Sequence, residues 1–291
     1  MVNNNGWDIV DISHEKERDE RAYQILKDFD EASFEECKVK APRGDAEAQC
    51  LLGSCYLFGY YTNQNPEVGL KWLKAAANQN FAPAEFFIGF CYIEGLGVEK
   101  DNQQAVYWME RSACNGYEEA QYIYARMIEN GFVRNQQSFE WYKKAAEQGH
   151  AKAQNQLGWL YQNATGGAPK SEKNAFYWYE KSANQGLAVA QNNLGYCYYN
   201  GIGVAENAEK AIVWYKKAAA QGQKDAQEFL ANLKTDGNTS ANTSDSDSSA
   251  LGFIIKCILL LVGGFVAGGL IVSFAPAIII ILILYFMFFR K

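Results

Sequence analysis

Two histidines, seven cysteines and a few paired glutamates are the side chains of this 291-residue chain that could support nucleophilic, acid–base or metal chemistry. Catalysis needs such groups to converge as nucleophile, base and orienting partner. His14 lies in a charged leader, and His150 stands alone between two sequence units. No HExxH, GxSxG or phosphate-cradling glycine loop is present. Gly95-Leu96-Gly97 lacks the preceding strand that a dinucleotide site requires. The cysteines, at 37, 50, 55, 91, 114, 197 and 257, form no CxxC pair and keep no regular spacing, which argues against a metal site or a disulfide framework. Met1–Trp7 is polar and lacks the basic-then-apolar pattern of a secretory signal, so free thiols in a reducing compartment are expected. Cys50, Cys55 and Cys91 read as buried thiols on helices, and Glu35-Glu36 and Glu118-Glu119 as solvated helix ends. No catalytic residue, metal or cofactor is expected, and the chain is not read as an enzyme. Its net charge of −6 and pI near 5.2 carry no nucleic-acid footprint.

What remains is a surface for binding, and the elements that would build it are periodic. Tryptophan recurs at 72, 108, 141, 178 and 214, at intervals of 36, 33, 37 and 36 residues. A period of this length in helix-forming sequence marks stacked helical units. The units run Gly44–Asn80, Phe81–Gly116, Tyr117–Gly149, His150–Gly186 and Leu187–Gly222, with a truncated sixth at Gln223–Lys234. Each opens on an alanine (48, 84, 120, 153, 190 and 226), and apolar residues follow four and eight positions later, for example Leu194 and Tyr198. That spacing is one stripe of a helix. Next to the aliphatic residue comes Gly53, Gly89, Ala125, Gly158, Gly195 or Ala231. Glycine inside a helix costs about 1 kcal/mol against alanine, so its recurrence predicts close helix–helix approach. The first helix is predicted to stop at Gly59, Gly95, Gly131 or Gly201 in a left-handed cap. A second, aromatic helix such as Ala211–Ala219 follows. The fold class is therefore all-α, a solenoid of about five helix–turn–helix repeats.

The pattern Ala-x-x-x-Leu-Gly-x-x-Tyr-x-x-Gly-x-Gly-Val, then Ala-x-x-Trp-Tyr-x-Lys-Ala-Ala-x-x-Gly, resembles the Sel-one-like repeat (SLR) family, relatives of the tetratricopeptide repeats. Leu187–Gly222 fits nearly throughout, and the resemblance covers about residues 44–234. The third unit lacks the Gly-x-Gly, and the fourth has an irregular Asn163–Gly167 turn, departures expected to alter local curvature only. The resemblance implies adaptor work in protein complexes, including membrane-associated ones. Tetratricopeptide relatives bind on a concave surface through positions two, three, six and nine after the opening alanine. Position two reads Cys50, Phe86, Tyr122, Asn155 and Asn192; position six reads Ser54, Phe90, Arg126, Trp159 and Tyr196. Phe86, Phe90, Tyr122, Arg126, Trp159 and Tyr196 are therefore the candidate partner-binding residues, with packing against the next repeat as the competing role. A cysteine-rich, β-lactamase-like branch of the family carries a cysteine pair in each repeat. Here only Cys114 occupies the first place, and Gln121 stands where its partner would be.

The flanks differ from the repeats. Residues 1–43 are expected to contain a helical cap, polar on its outer face, with Tyr23, Leu26 and Phe29 as a thin apolar stripe. Residues 235–250 have no aromatic or branched aliphatic side chain and read as a disordered linker. Glycosylation acceptor patterns at Asn238 and Asn242 are read as part of that linker. Residues 251–291 are read as a transmembrane anchor: Cys257–Phe289 carries no charge over 33 residues, against about 20 needed to cross a bilayer. It forms a single helix or a hairpin broken at Ser273–Pro276. The hairpin is favoured because it leaves Lys256, Arg290 and Lys291 on the cytoplasmic side with the repeats. Gly264 and Gly268 offer a seat for self-association. The chain thus reads as a membrane-anchored scaffold that recruits proteins or peptides, its repeats facing the cytoplasm. A β-lactamase-like hydrolase and a luminal or periplasmic quality-control adaptor are the alternatives.

Overall fold

The computed structural model describes residues 29–134 and 137–239, with side chains described through residue 233. Its contacts divide the chain into two compact units, Met1–Asn232 and Leu233–Lys291, and only the first seven residues of the second are described. Among the described residues there are twelve α-helices, one 3-10 turn and no strand. Helix α1 (Glu31–Lys40) and the turn Ala41–Arg43 lead into five helix pairs. These are α2 (Ala46–Phe58) with α3 (Pro66–Ala77), α4 (Ala82–Glu94) with α5 (Asn102–Cys114), and α6 (Glu118–Glu129) with α7 (Ser138–Glu147). Two more follow, α8 (Ala151–Asn163) with α9 (Glu172–Asn184), and α10 (Ala188–Asn200) with α11 (Ala208–Ala220). Helix α12 (Lys224–Thr239) opens a sixth unit. It runs five residues into the segment read as a linker, because extending an existing helix avoids the nucleation cost. The remainder of that linker, the apolar stretch 251–289 with Gly264 and Gly268, and Tyr23 and Leu26 of the leader lie outside the described residues. Within them, no helix is long and apolar enough to cross a membrane.

Every pair is built around one close approach. An added Cβ at Gly53 would sit 2.9 Å from Leu73 Cγ, at Gly89 3.1 Å from Met109 Cε, at Gly158 2.8 Å from Tyr179 Cδ1 and at Gly195 3.1 Å from Tyr215 Cγ. The facing residues Leu73, Met109, Tyr142, Tyr179 and Tyr215 are all buried. The glycine therefore removes the one side chain that would hold the second helix off, as dense packing requires. The periodic tryptophans sit one residue before this column and are half-buried. A cation three residues on covers the ring in three of them: Arg111 over Trp108 at 5.3 Å, Lys144 over Trp141 at 4.1 Å and Lys217 over Trp214 at 3.8 Å. Residues three apart on a helix are neighbours, so the Trp-x-x-Lys/Arg spacing is a cation–π pair.

The turn inside each repeat joins it to the one before. Gly95 and Gly201 close their helices at φ +75° and +68°, where L side chains are strained. The second glycine has another task. A Cβ on Gly97 would meet the Pro66 carbonyl at 2.8 Å, and one on Gly203 would overlap the Glu172 carbonyl oxygen. Pro66 and Glu172 each start the second helix of the preceding repeat. The irregular fourth repeat reaches the same contact differently: Gly166 abuts Ser138 Oγ and Gly167 abuts the Gln137 side chain, at the start of α7. Its helix cap is Ala164 at φ +54°. The loop then docks on the first helix, with the N-cap amides of Asn65, Asp101, Ser171 and Asn207 donating to the carbonyls of Tyr56, Tyr92, Tyr161 and Tyr198.

Gly158→Ala is expected to destabilise the repeats, because overpacking against buried Tyr179 costs about 1–3 kcal/mol and outweighs alanine's gain of about 1 kcal/mol in helix propensity. Ala164→Gly is expected to stabilise them by about 1 kcal/mol by relieving a left-handed alanine. Urea titration followed by circular dichroism should show midpoint shifts of opposite sign.

Candidate protein-binding surface

In the five complete repeats the residue after the opening alanine turns inward and is polar. Gln49, Gln121, Gln154 and Gln191 are buried. Each of these, and Gln227, donates through Nε2 to a carbonyl eight residues back: Ala41, Ala113, Ala146, Ala183 and Ala219 respectively, at 3.0–3.4 Å. The Oε1 atoms of Gln49, Gln121, Gln154 and Gln191 accept from Gln79, Gln148, Gln185 and Gln221 at 2.7–2.9 Å. The last three also donate to a glycine carbonyl of the preceding repeat. The result is a ladder of amides that satisfies the last carbonyls of one second helix from the first helix of the next repeat. The motif reading noted Gln121 only as standing in place of a cysteine and passed over the rest, although Ala-Gln recurs in five of six units.

The second repeat departs from the ladder. Glu85 is 0 % exposed and cannot donate to the Ala77 carbonyl. Arg111 does so instead, through Nη2 at 3.0 Å. Arg111 Nε also lies 2.7 Å from Glu85 Oε1, an ion-pair distance without an aligned hydrogen bond, and Asn115 donates to Oε2 at 2.8 Å. Glutamate and arginine together thus do the work of one glutamine.

The six candidate binding residues separate by repeat. Phe86 and Phe90 are only 2 % and 3 % exposed. Phe86 packs edge-on against Phe87 and Tyr117, and Phe90 lies 6.2 Å from Phe58, so both belong to the core between repeats. Tyr122 is half-buried, stacked on His150 at 4.7 Å and tilted 5.8 Å from Tyr142. Arg126 is half-buried beside Tyr142, whose phenol is pushed up first by burial and then by the Glu129 carboxylate that accepts its proton at 2.7 Å. Trp159 and Tyr196 are 37 % and 40 % exposed. The accessible part of the candidate surface therefore lies on α6, α8 and α10. The rings of the second repeat are buried because Phe58 and Tyr117 of the neighbouring repeats close over them.

His150 is a structural histidine. Its Nδ1 accepts the Ala153 amide at 3.0 Å and caps α8, while Nε2 lies 2.8 Å from Glu119. Glu119 is thus held at the junction rather than left as a solvated helix end. Glu35 and Glu36 do stay exposed, paired to Lys38 and Lys40. The six described cysteines are free, and all but Cys114 are buried. Burial pushes the thiols of Cys50, Cys55, Cys91 and Cys197 up to about 12. Among the described residues, no cluster of histidine, cysteine and carboxylate side chains is arranged to hold a metal ion.

Paired helices locked by a repeated glycine contact, with aromatic rings left open along the first helices, define a tetratricopeptide-like α-solenoid. The Sel1 repeat profile matches residues 46–81, 82–117, 118–150, 151–187 and 188–223, and the chain belongs to the Sel1 repeat family. The matched bounds differ by one or two residues from the sequence-derived units. Among solved structures, a Sel1 repeat protein from Oxalobacter formigenes is 35% identical with a TM-score of 0.63. The match covers 69% of this chain and 59% of that protein, so the chain spans less than two thirds of it. A protective antigen present in uropathogenic Escherichia coli strains, displaying an SLR fold, is 30% identical over 70% of this chain and 52% of its own, at a TM-score of 0.45. Among curated proteins none matches.

Arg111→Ala strands the Glu85 carboxylate in the core and is expected to cost about 3–5 kcal/mol, against about 1–3 kcal/mol for Gln154→Ala, which strands neutral groups. Adding Glu85→Gln to Arg111→Ala should recover part of the loss, as read from urea midpoints. At pH 8, a maleimide should label Cys114 in the folded chain and leave Cys50, Cys55, Cys91 and Cys197 unmodified until denaturant is added. Thiols held above their ordinary value near 9 stabilise the fold below that pH and lose the contribution as pH climbs towards about 12, so the urea midpoint should fall across that interval.

Proposed function

We propose that this chain is a non-catalytic scaffold that recruits partner proteins through the first-helix face of its third to fifth repeats. Sel1-repeat proteins are typically protein-interaction scaffolds, and that general role is the starting point. The observation that supports the finer reading is the exposure of Trp159 and Tyr196 on a packed stack that has no need of them for its core. Tryptophan, tyrosine and arginine dominate interface energetics, and Arg126 and Tyr122 continue the same columns at half exposure. In this proposal the apolar sequence 251–289 supplies a membrane anchor, with the repeats on the cytoplasmic side. Anchoring would raise the local concentration of the scaffold around membrane-bound partners.

Trp159→Ala with Tyr196→Ala is expected to remove the partners that the full-length chain captures in proximity labelling, while the thermal melt stays within a degree or two. Capture that survives the double substitution would defeat the surface assignment. The same labelling on a chain truncated after residue 236 tests the anchor: partners confined to membranes should disappear from the labelled set.

A further inference from the structure

The second helices of the last two repeats expose apolar side chains among lysines. In the column one residue before the periodic tryptophan, Tyr177 and Val213 are 46 % and 52 % exposed. Trp178 and Trp214 beside them are half-buried. Helices α9 and α11 carry five lysines, Lys173, Lys181, Lys210, Lys216 and Lys217, all exposed, against three acids, Glu172, Glu180 and Glu209. Their balance of +2, five less three, opposes the −6 of the whole chain. Lys173, Tyr177 and Lys181 follow at four-residue steps, and Lys210, Val213 and Lys217 at three and four. Each row therefore lies on one helix face.

These lysines are held against rings rather than carboxylates. Lys181 Nζ lies 5.6 Å from the centre of the Tyr177 ring, Lys217 Nζ 3.8 Å from that of Trp214 and Lys210 Nζ 5.3 Å from that of Tyr198. Among the described residues no carboxylate pairs with any of the three. The earlier repeats lack the combination. Arg111 is committed to Glu85 and the Ala77 carbonyl, and the place of the exposed ring is taken by Lys71 in α3 and Glu140 in α7. Lysine is depleted from the centres of protein interfaces, which speaks against a protein partner here. Aromatic rings together with lysines, whose stems lie along apolar surface while the charge reaches outward, are the composition of a bilayer contact.

We propose, resting on the reading of 251–289 as a membrane anchor, that the exposed face of α9 and α11 docks on the anionic headgroups of the same bilayer. Only 11 residues, 240–250, separate the end of α12 from the apolar sequence, at most about 40 Å of chain in any conformation. An inserted tail therefore keeps the lipid surface at high effective concentration around the repeats. Tyr177, Val213 and the open edges of Trp178 and Trp214 enter the headgroup layer, and Lys173, Lys181, Lys210 and Lys217 meet lipid phosphates and carboxylates. Glu172 and Glu209 stand in the first turns of their helices, where the helix dipole favours an anion. Glu180 is half-buried. Docking in this way leaves Trp159 and Tyr196 on the first helices uncovered.

The test is tryptophan quenching in the full-length chain reconstituted into vesicles that contain phosphatidylcholine brominated on its acyl chains. All seven tryptophans precede residue 215, so the apolar sequence contributes no signal of its own. With about a third of the lipid as phosphatidylserine, an anionic surface, emission should fall by up to the share of two tryptophans in seven. The loss should shrink in phosphatidylcholine alone, and in about 1 M salt, where the Debye length is about 3 Å. Lys181→Glu with Lys217→Glu, both at exposed positions, should abolish it with an unchanged melt. Trp178→Phe with Trp214→Phe should remove the quenched fraction, whereas Trp159→Phe leaves it in place. Quenching that ignores lipid charge and the lysine substitutions overturns the proposal. So does a chemically cross-linked dimer that those substitutions dissolve while the rings stay unquenched, since the face would then belong to a second copy. If the chain floats with vesicles after an alkaline wash but its tryptophans are unaffected, the docking falls and the anchor reading stands. If it does not float, both fall together.

Discussion

Close approach of the second helix at one glycine of the first helix, in four of the five repeats, is the constraint on which the rest of this structure depends. With the glycine in place, Leu73, Met109, Tyr179 and Tyr215 seat directly on the first helix. The two helices of a repeat then form one rigid body, and everything outside that seam, including the exposed face of the first helices, inherits its position from it. The third repeat uses Ala125 against Tyr142 at the same place, and both are buried.

A second constraint acts between repeats rather than within them. Stacked units leave the final carbonyls of each second helix facing the next repeat, away from water, and such groups must be satisfied. The glutamine ladder meets that need with neutral amides, which can both donate and accept. Because the glutamine rungs share one geometry, stability should accumulate repeat by repeat through neighbour contacts. The inter-repeat contacts therefore do not enclose Trp159 and Tyr196, which stay exposed on the first helices of the last two repeats.

Much of this was legible in the sequence because periodicity reports packing directly. The unit boundaries, the recurrent mid-helix glycine and the left-handed caps at Gly59, Gly95 and Gly201 follow from spacing and backbone sterics. The candidate site was legible only in part. Position within a repeat places Phe86 and Trp159 on equivalent faces, yet the first is buried and the second open, since burial depends on the neighbouring repeat. Phe58 and Tyr117 close over the early columns, and no single-helix pattern contains that information. The ladder escaped notice for another reason: an inward glutamine after alanine looks like an ordinary polar helix residue until its partner carbonyl is located.

The exchange of glutamine for the Glu85–Arg111 couple has a bearing on how such a chain can be rearranged. Cutting and rejoining at equivalent points in repeats three to five transplants like for like, since any Gln121-type residue fits any Ala113-type carbonyl. A crossover falling between residues 85 and 111 would separate acid from base, leaving one hybrid with a buried orphan anion. Duplication and loss of units should therefore be tolerated towards the C-terminal side of the array, while the second repeat travels as an indivisible block.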